Sequence, residues 1–377
     1  MKVKNQIILI FLILFASSCN SNHDIEYQKN IIGEWEFFKC ENLHDEDSEI
    51  LLFTFSEPRT GYSFYKDKSC DTKLGYLTTS KSTNFDDRIV TFQGTKTKYK
   101  IENDSLKIFN LTTKKWDIKK IIQITQDTLS FEIDKKTSYV FAKKRYHINK
   151  NEAYDKIIVS SSGCYGTCPI SNTMLDNKGN MVFQGQEYNT KNGVFKSKIS
   201  NSEFKKIHTS FLKANIKSLK KRYSKNVSDQ ETVSISFIKN NKIIKTIEDY
   251  GMISPNELIW AYIPVRFLYQ KVNLSSINSN KFLSNIWYIS FRKKDSINTL
   301  SKSESFFLVN EIYNGKKVNQ KFRDEYYISY IDNNDIQYKI KTDGRFYNFN
   351  NMTIDIGYNF LTQNNLLKNF RKRTDYD

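Results

Sequence analysis

The sequence has 377 residues, a formal net charge of +17 and a pI near 9.3. At about 100–200 residues per domain, the length suits two or three domains. Its 13 glycines and 4 prolines exclude collagen-like or elastic repeats, and no apolar stretch reaches the ~20 residues of a membrane-crossing helix. The basic balance favours acidic partners: nucleic acid, anionic lipid headgroups or phosphorylated glycans. Against a dedicated polyanion site, the lysines are spread along the chain, and the dense runs Lys217 to Lys225 and Arg371 to Arg373 are short. Lys, Asn, Ile and Tyr are over-used throughout, as AT-rich coding sequence would produce. Nucleic acid is the least favoured of these partners.

Lys2 and Lys4 precede an apolar run from Ile7 to Phe15, then the small residues Ala16, Ser17 and Ser18, then Cys19. Positive, apolar, small is the layout of a secretory signal. A cysteine at this point resembles the lipobox of bacterial lipoproteins, although Ala16 stands where leucine is usual. The resemblance implies a signal peptide over 1–18 and a diacylglycerol on Cys19 as the link to the membrane. It also implies residence in the cell envelope, at the bacterial outer membrane, on its periplasmic face or at the cell surface. An ordinary signal peptide with a coincidental cysteine is the alternative. Residues 19–30 are polar and read as anchor and tether.

Residues 31–148 read as short strands. Leu51, Phe53 and Phe55 alternate with polar neighbours, as do Leu129, Phe131 and Ile133, then Tyr139 and Phe141, so each strand has one buried and one wet face. Turn residues at Asn103-Asp104-Ser105, Thr125-Gln126-Asp127 and Asp134-Lys135-Lys136 separate them. Many antiparallel strands with tight turns predict a small β-barrel. Gly33-Glu34-Trp35 at the first strand resembles the G-x-W start of lipocalin-like domains, as do Trp116 and the segment Asp127 to Phe131. The resemblance implies that Gly33 and Trp35 plug one end, with Arg145 packed on the ring by a cation–π contact. Such a barrel either encloses a small apolar ligand or is filled by its own Phe, Tyr and Leu side chains. The second fits so short a domain better.

With Cys19 lipidated, Cys40, Cys70, Cys164 and Cys168 remain. An even remainder in an oxidising compartment suggests two disulfides, and the domain split pairs Cys40 with Cys70 and Cys164 with Cys168. His23, His44, His147 and His208 form no pair at ligand spacing, so no metal or other cofactor is expected.

Residues 152–275 predict an α+β domain in the order ββββαββα. Ile157 to Ser160 is a strand leading into Ser161-Ser162-Gly163-Cys164-Tyr165-Gly166-Thr167-Cys168-Pro169, and Ile170 to Leu175 is a second strand. Asn177 to Asn180 makes a hairpin turn. Ser200-Asn201-Ser202-Glu203 has capping-box form, and behind it Phe204, Ile207, Phe211 and Leu212 recur at helical spacing. Ser254-Pro255-Asn256-Glu257 is a second box, opening a helix that Pro264 should kink or end. The segment resembles a family of exported bacterial domains of unknown function with the signature C-[FY]-G-x-C-P. The match lies at Cys164, Tyr165, Gly166, Cys168 and Pro169, with further similarity at Gly179, Gly185, Asp229, Asp249, Tyr250 and Pro255. The resemblance implies no activity.

Two chemistries are open to the loop. A disulfide would staple a tight turn, with Gly166 supplying φ freedom and Pro169 stiffness. A redox pair is the rival, but thiol oxidoreductases use C-x2-C at a helix N-terminus, whereas here the spacing is x3 and a strand follows. Hydrolysis would need a base beside Ser160, Ser161 or Ser162. There is no G-x-S-x-G elbow, and His208 is expected on the solvated face of its helix.

Residues 280–377 read as β-rich, with strands at Trp287 to Phe291, Phe306 to Val309, Tyr326 to Tyr330 and Ile336 to Ile340, and turns at Asn314-Gly315 and Asn333-Asn334. The overall expectation is a lipid-anchored envelope protein that binds or supports rather than catalyses, with no catalytic residue assigned. Thiol–disulfide activity at Cys164 and Cys168 and binding of anionic polymers, such as glycan phosphate, are the alternatives.

Overall fold

A computed structural model describes residues 23–42, 59–81, 88–148, 152–277, 288–331, 337–349 and 352–374. The leader with Cys19, the strand expected at Leu51 to Phe55, Trp287 and the Asn333-Asn334 turn lie outside the described residues. The chain divides into two compact units. One is built from the described residues up to Thr78 with Phe92–His147, the other from Thr79–Thr91 with Ile148 onward.

The first unit carries a closed eight-stranded antiparallel barrel. Part of the expected tether is helical, over residues 23–30 (α1). Its Tyr27 packs on the barrel core, and the Asp24 carboxylate accepts the Asn103 and Asp104 backbone N–H groups. The strands are β1 Gly33–Asn42, β2 Gly61–Phe64, β3 Ser69–Lys81, β4 Arg88–Glu102, β5 Ser105–Phe109, β6 Trp116–Ile124, β7 Thr128–Glu132 and β8 Thr137–Lys144. Each pairs with the next, and β8 returns to β1. Asn103 and Asp104, both at positive φ, form the two-residue turn between β4 and β5 that such hairpins favour. Alternation turns Leu106, Ile108, Leu129, Phe131 and Phe141 inward, where they join Trp35, Phe64 and Tyr99. Rings meet in the interior, Phe64 on Tyr99 at 4.8 Å and Phe131 on Phe141 at 5.2 Å.

Two expectations fail in the barrel. Trp35 is fully buried, with its Nε1 donating to the Ile31 carbonyl at 2.6 Å, but the cation over its ring is Lys143, at 4.9 Å. The β1–β8 register sets Trp35 opposite Lys143. Arg145 falls beyond the end of β8 and instead pairs with exposed Asp127. Cys40 and Cys70 are free thiols, one exposed and one buried. Cys40 sits opposite Tyr139 on β8 and Cys70 opposite Phe64 on β2, so no register brings them together.

The second unit begins with β9 Lys156–Ser161, β10 Ile170–Asp176, β11 Asn180–Glu187 and β12 Gly193–Lys198. There follow α2 Asn201–Lys213, β13 Arg222–Ser224, β14 Thr232–Lys239, β15 Lys242–Tyr250, α3 Asn256–Arg266 and β16 Ser275–Ser276. The sheet order is β13-β15-β14-β9-β10-β11-β12-β16. One face is covered by α2 and α3, with Phe211 edge-on to Phe237 and Phe183 stacked at 3.9 Å on Tyr269. Ser200 caps α2 as expected, its Oγ accepting the Glu203 N–H. The second expected box does not form. Pro255 occupies the N-cap of α3 without a side-chain cap, and the Ser254 hydroxyl is committed to Asp249. The helix ends at Arg266, two residues past Pro264.

The C-terminal elements are β17 Ser290–Lys293, β18 Ser296–Thr299, α4 Lys302–Tyr313, β19 Lys316–Val318, β20 Tyr326–Ile331, β21 Gln337–Thr342, β22 Phe346–Phe349, β23 Met352–Asp355, α5 Phe360–Gln363 and β24 Arg371–Lys372. The strands form an antiparallel sheet in the order β19-β23-β22-β21-β20-β17-β18-β24. The expected strand at Phe306 to Val309 is the middle of α4, and Asn314 is its C-cap rather than a hairpin residue. Ser301 and Glu304 form a complete capping box. Phe306, Phe307, Leu308 and Val309 are all buried, in one core with Ile158 and Ile238 of the first sheet and Phe291, Ile328 and Ile340 of the second. Helix α4 is therefore packed between two sheets.

Candidate functional site

Most of the motif residues converge at one end of the β9–β15 sheet. The Cys164–Cys168 disulfide is formed, with a Cα–Cα distance of 5.7 Å, and closes a ring between β9 and β10. Tyr165, inside that ring, is 89% exposed. Gly166 has φ +134°, which side chains rarely adopt, and open space where a Cβ would lie. The ring is held from both sides. The Tyr165 N–H donates to the Asp229 carbonyl at 3.1 Å, and the Ser161 hydroxyl donates to the Pro169 carbonyl at 2.7 Å. Asp229 is a turn residue with φ +67°, and its carboxylate accepts from Ser228. Tyr250 accepts the Gln230 N–H on its hydroxyl oxygen, which ties the same turn to the end of β15.

Asp249 has a different task. It is 1% exposed and accepts four hydrogen bonds: from the backbone N–H groups of Ile253 and Ser254, the Ser254 hydroxyl at 2.6 Å and the Tyr262 hydroxyl at 3.1 Å. It thus folds the turn that delivers Pro255 to the start of α3. Burial, with the Asp249 charge second, drives the Tyr262 hydroxyl pKa far above its ordinary value. Beside it, buried Arg266 makes a bidentate pair with Glu231 at 2.8 and 2.6 Å. Gly185 of the motif is confined by packing, because a Cβ there would meet the Lys191 carbonyl at 2.2 Å.

The serines near the ring serve the fold. Ser162 Oγ accepts the Thr232 N–H at 2.8 Å, and Ser161 is committed to Pro169. His208 is not on a solvated face. Its ring lies against Tyr154 and Phe204, its Nε2 accepts the Tyr154 N–H, and burial lowers its pKa against the pull of Glu152. Among the described residues, no group of three or more His, Cys, Asp and Glu side chains could hold a metal ion.

A feature absent from the sequence reading lies on the α4 face of the same sheet. Glu248, Ser234, Ser160, Asn172 and Gln184 are cross-strand neighbours in succession and form a polar row over five strands. The Ser303 hydroxyl meets Ser234 and Ser236 at 2.6 and 2.8 Å, and Glu304 accepts from Thr246 at 2.7 Å. Asn172 Nδ2 donates to Gln184 Oε1 at 2.9 Å. The Ser160 hydroxyl and Asn172 Oδ1 are buried without a partner. Lys302, 2% exposed in the first turn of α4, donates to Gln186 Oε1 at 2.8 Å. Burial pushes its amine pKa down to about 7, against the attraction of Glu187.

The fold and this end of the sheet define an α+β domain organised around a disulfide-closed loop. Residues 155–269 match a protein family described as a domain of unknown function, DUF6438. No curated protein matches the chain.

Proposed function

We propose that the chain is a lipid-anchored protein of the bacterial cell envelope that binds rather than catalyses, with the Cys164–Cys168 ring as its recognition loop. The exposed Tyr165 side chain, held on a covalently closed and backbone-pinned ring, carries this reading. Such a ring has little conformational freedom left to lose on binding, and tyrosine is among the preferred anchors of interfaces. Disulfides persist in oxidising compartments, and the export leader ending at Cys19 supplies one. In the same reading the barrel is lipocalin-like, with Trp35 closing one end beneath Lys143. An anionic glycan on the basic surface or a small apolar ligand of the barrel are the partners it names.

Thiol–disulfide exchange is the competing activity. It is disfavoured because Cys168 leads into β10 and not into a helix whose N-terminus would lower a thiol pKa. Thiol alkylation and intact mass in a redox-buffer series measure the potential of the pair. A value below about −300 mV agrees with a structural ring. One between about −120 and −230 mV puts redox chemistry in its place. Metabolic labelling with palmitate tests the anchor: label lost in Cys19→Ala supports it, and an unlabelled wild type removes it.

A further inference from the structure

Two cavities of the second unit meet at Lys196. The more enclosed, about 430 Å³, lies between β11–β12 and α4, on a floor of Val182, Val194, Ile277 and Phe306. The other, about 840 Å³ and open, is lined by Lys196, Lys198 and Lys271 and by the cap of α2. Glu203 is its one lining carboxylate, so three lysines against one glutamate leave it cationic. Local sequence explains the juxtaposition. Val194, Lys196 and Lys198 are alternate residues of β12 and share one face. That face changes from apolar and buried at Val194 to charged and exposed at Lys196 and Lys198. The enclosed cavity is thus a slot that sets an apolar floor against a polar rim of Ser276, Asn310, Tyr313 and Asn314, and it shares Lys196 with the basic groove.

We propose that the pair of cavities binds a single-chain anionic amphiphile of the fatty-acid type, its chain in the slot and its headgroup at Lys196. The slot falls within the roughly 300–1,000 Å³ of small-molecule sites. Its floor is continuous with the core, since Val194 and Phe306 belong to the cluster around α4, and Val182 and Ile277 pack against it. The order of surfaces selects the occupant. A neutral hydrocarbon leaves the lysines unused, and inorganic phosphate leaves the slot unfilled. The site is separate from the Tyr165 loop and does not depend on the recognition proposed there.

The test is calorimetric titration of the mature chain carrying Cys19→Ser, at low salt, with octanoate, laurate and palmitate. Affinity is expected to rise about tenfold for each two added carbons until the slot is full. Lys196→Glu, at an exposed position, is expected to weaken palmitate at least tenfold while leaving the thermal transition in place. Ile277→Asp at the partly exposed slot wall does the same by a different route, and Lys341→Glu on the other sheet changes nothing. Affinity independent of chain length overturns the proposal. So does indifference to Lys196→Glu, or displacement of palmitate by inorganic phosphate alone, which would mark a plain anion site.

Discussion

In the barrel, Lys143 lies over the Trp35 ring and donates to the Asn30 carbonyl at 3.0 Å, and Lys119 lies 4.9 Å over Phe131. In the second unit, Lys302 is enclosed between α4 and a sheet and hydrogen-bonded to Gln186. Burial lowers the pKa of all three amines, but only that of Lys302 falls to about 7. The difference follows from topology. A closed barrel pairs all its strands and leaves open ends, where a lysine can lay its stem on an aromatic ring and keep its charge near water. An open sheet covered on both faces has no such exit, so its polar groups must be satisfied inside. Ser303, Thr246 and Glu304 do this beside Ser234 and Ser236, while the Ser160 hydroxyl and Asn172 Oδ1 further along the row stay without a partner. A row of directional bonds permits one placement of α4, where apolar contact alone would permit several.

The sharpest break in this comparison comes from Asp249. Asp249→Ala deprives two backbone N–H groups and the Ser254 and Tyr262 hydroxyls of their acceptor, and each buried group left bare costs about 1–3 kcal/mol. A loss of about 3–5 kcal/mol in urea denaturation is expected, with the second unit unfolding first. A loss below 1 kcal/mol would show that water reaches the turn. Lys302→Met comes next and has the opposite sign. Replacing buried ion pairs by well-packed apolar side chains of similar volume is often neutral or stabilising by about 1–4 kcal/mol, and a buried amine donating to a neutral amide is expected to follow the same sign. Its pH dependence identifies the cause. The unfolded chain holds the lysine proton up to about pH 10.4, whereas the folded chain releases it near 7. Between those values the unfolded state binds more protons, so wild-type stability rises with pH by about 1.4 kcal/mol per unit. Below pH 7 both states are protonated and this contribution is flat, its penalty fully developed. Subtracting the Lys302→Met profile from wild type over pH 7–9 should leave that slope, and a flat difference would mean that Lys302 stays charged in the fold.

The same contrast separates what was legible in the sequence from what was not. Barrel strands showed themselves by alternation, as Thr128 to Glu132 did although Ser130 on its polar side is buried too, and α2 by Phe204, Ile207 and Phe211 at helical spacing. The Cys164–Cys168 ring was legible because its partners are local. Helix α4 was misread as a strand at Phe306 to Val309, since a helix buried on all sides has no polar face to mark its period. Ser301-x-x-Glu304 was the available signal, of the same form that located α2. Lys302 and the polar row were not legible, because Ser160 meets Ser234 across 74 residues and Ser234 meets Ser303 across 69, through strand order and helix placement that no local pattern encodes. Cys40 and Cys70 were paired by domain membership, which carries no information on strand order.

The smallest expected effect bears on register as well. A basic residue over Trp35 was anticipated at Arg145, and β1–β8 pairing puts Lys143 there instead. Lys143→Ala removes a cation–π contact worth about 0.5–1 kcal/mol at an exposed site and more when desolvated, together with the bond to the Asn30 carbonyl. Arg145 and Asp127 form a solvent-exposed ion pair, a kind that contributes little. Hydrogen exchange read by peptide mass isolates the barrel without separating it from the chain. Lys143→Ala should speed exchange in β1 and β8 several-fold at the Trp35 end and leave β9–β15 untouched, and Arg145→Ala should change neither. If Arg145→Ala loosens β1 as much as Lys143→Ala, the arginine holds the tryptophan and β8 is shifted by two residues. Trp35 would then face a different residue of β8, and the inward set of that strand would be unchanged because a two-residue shift preserves its faces.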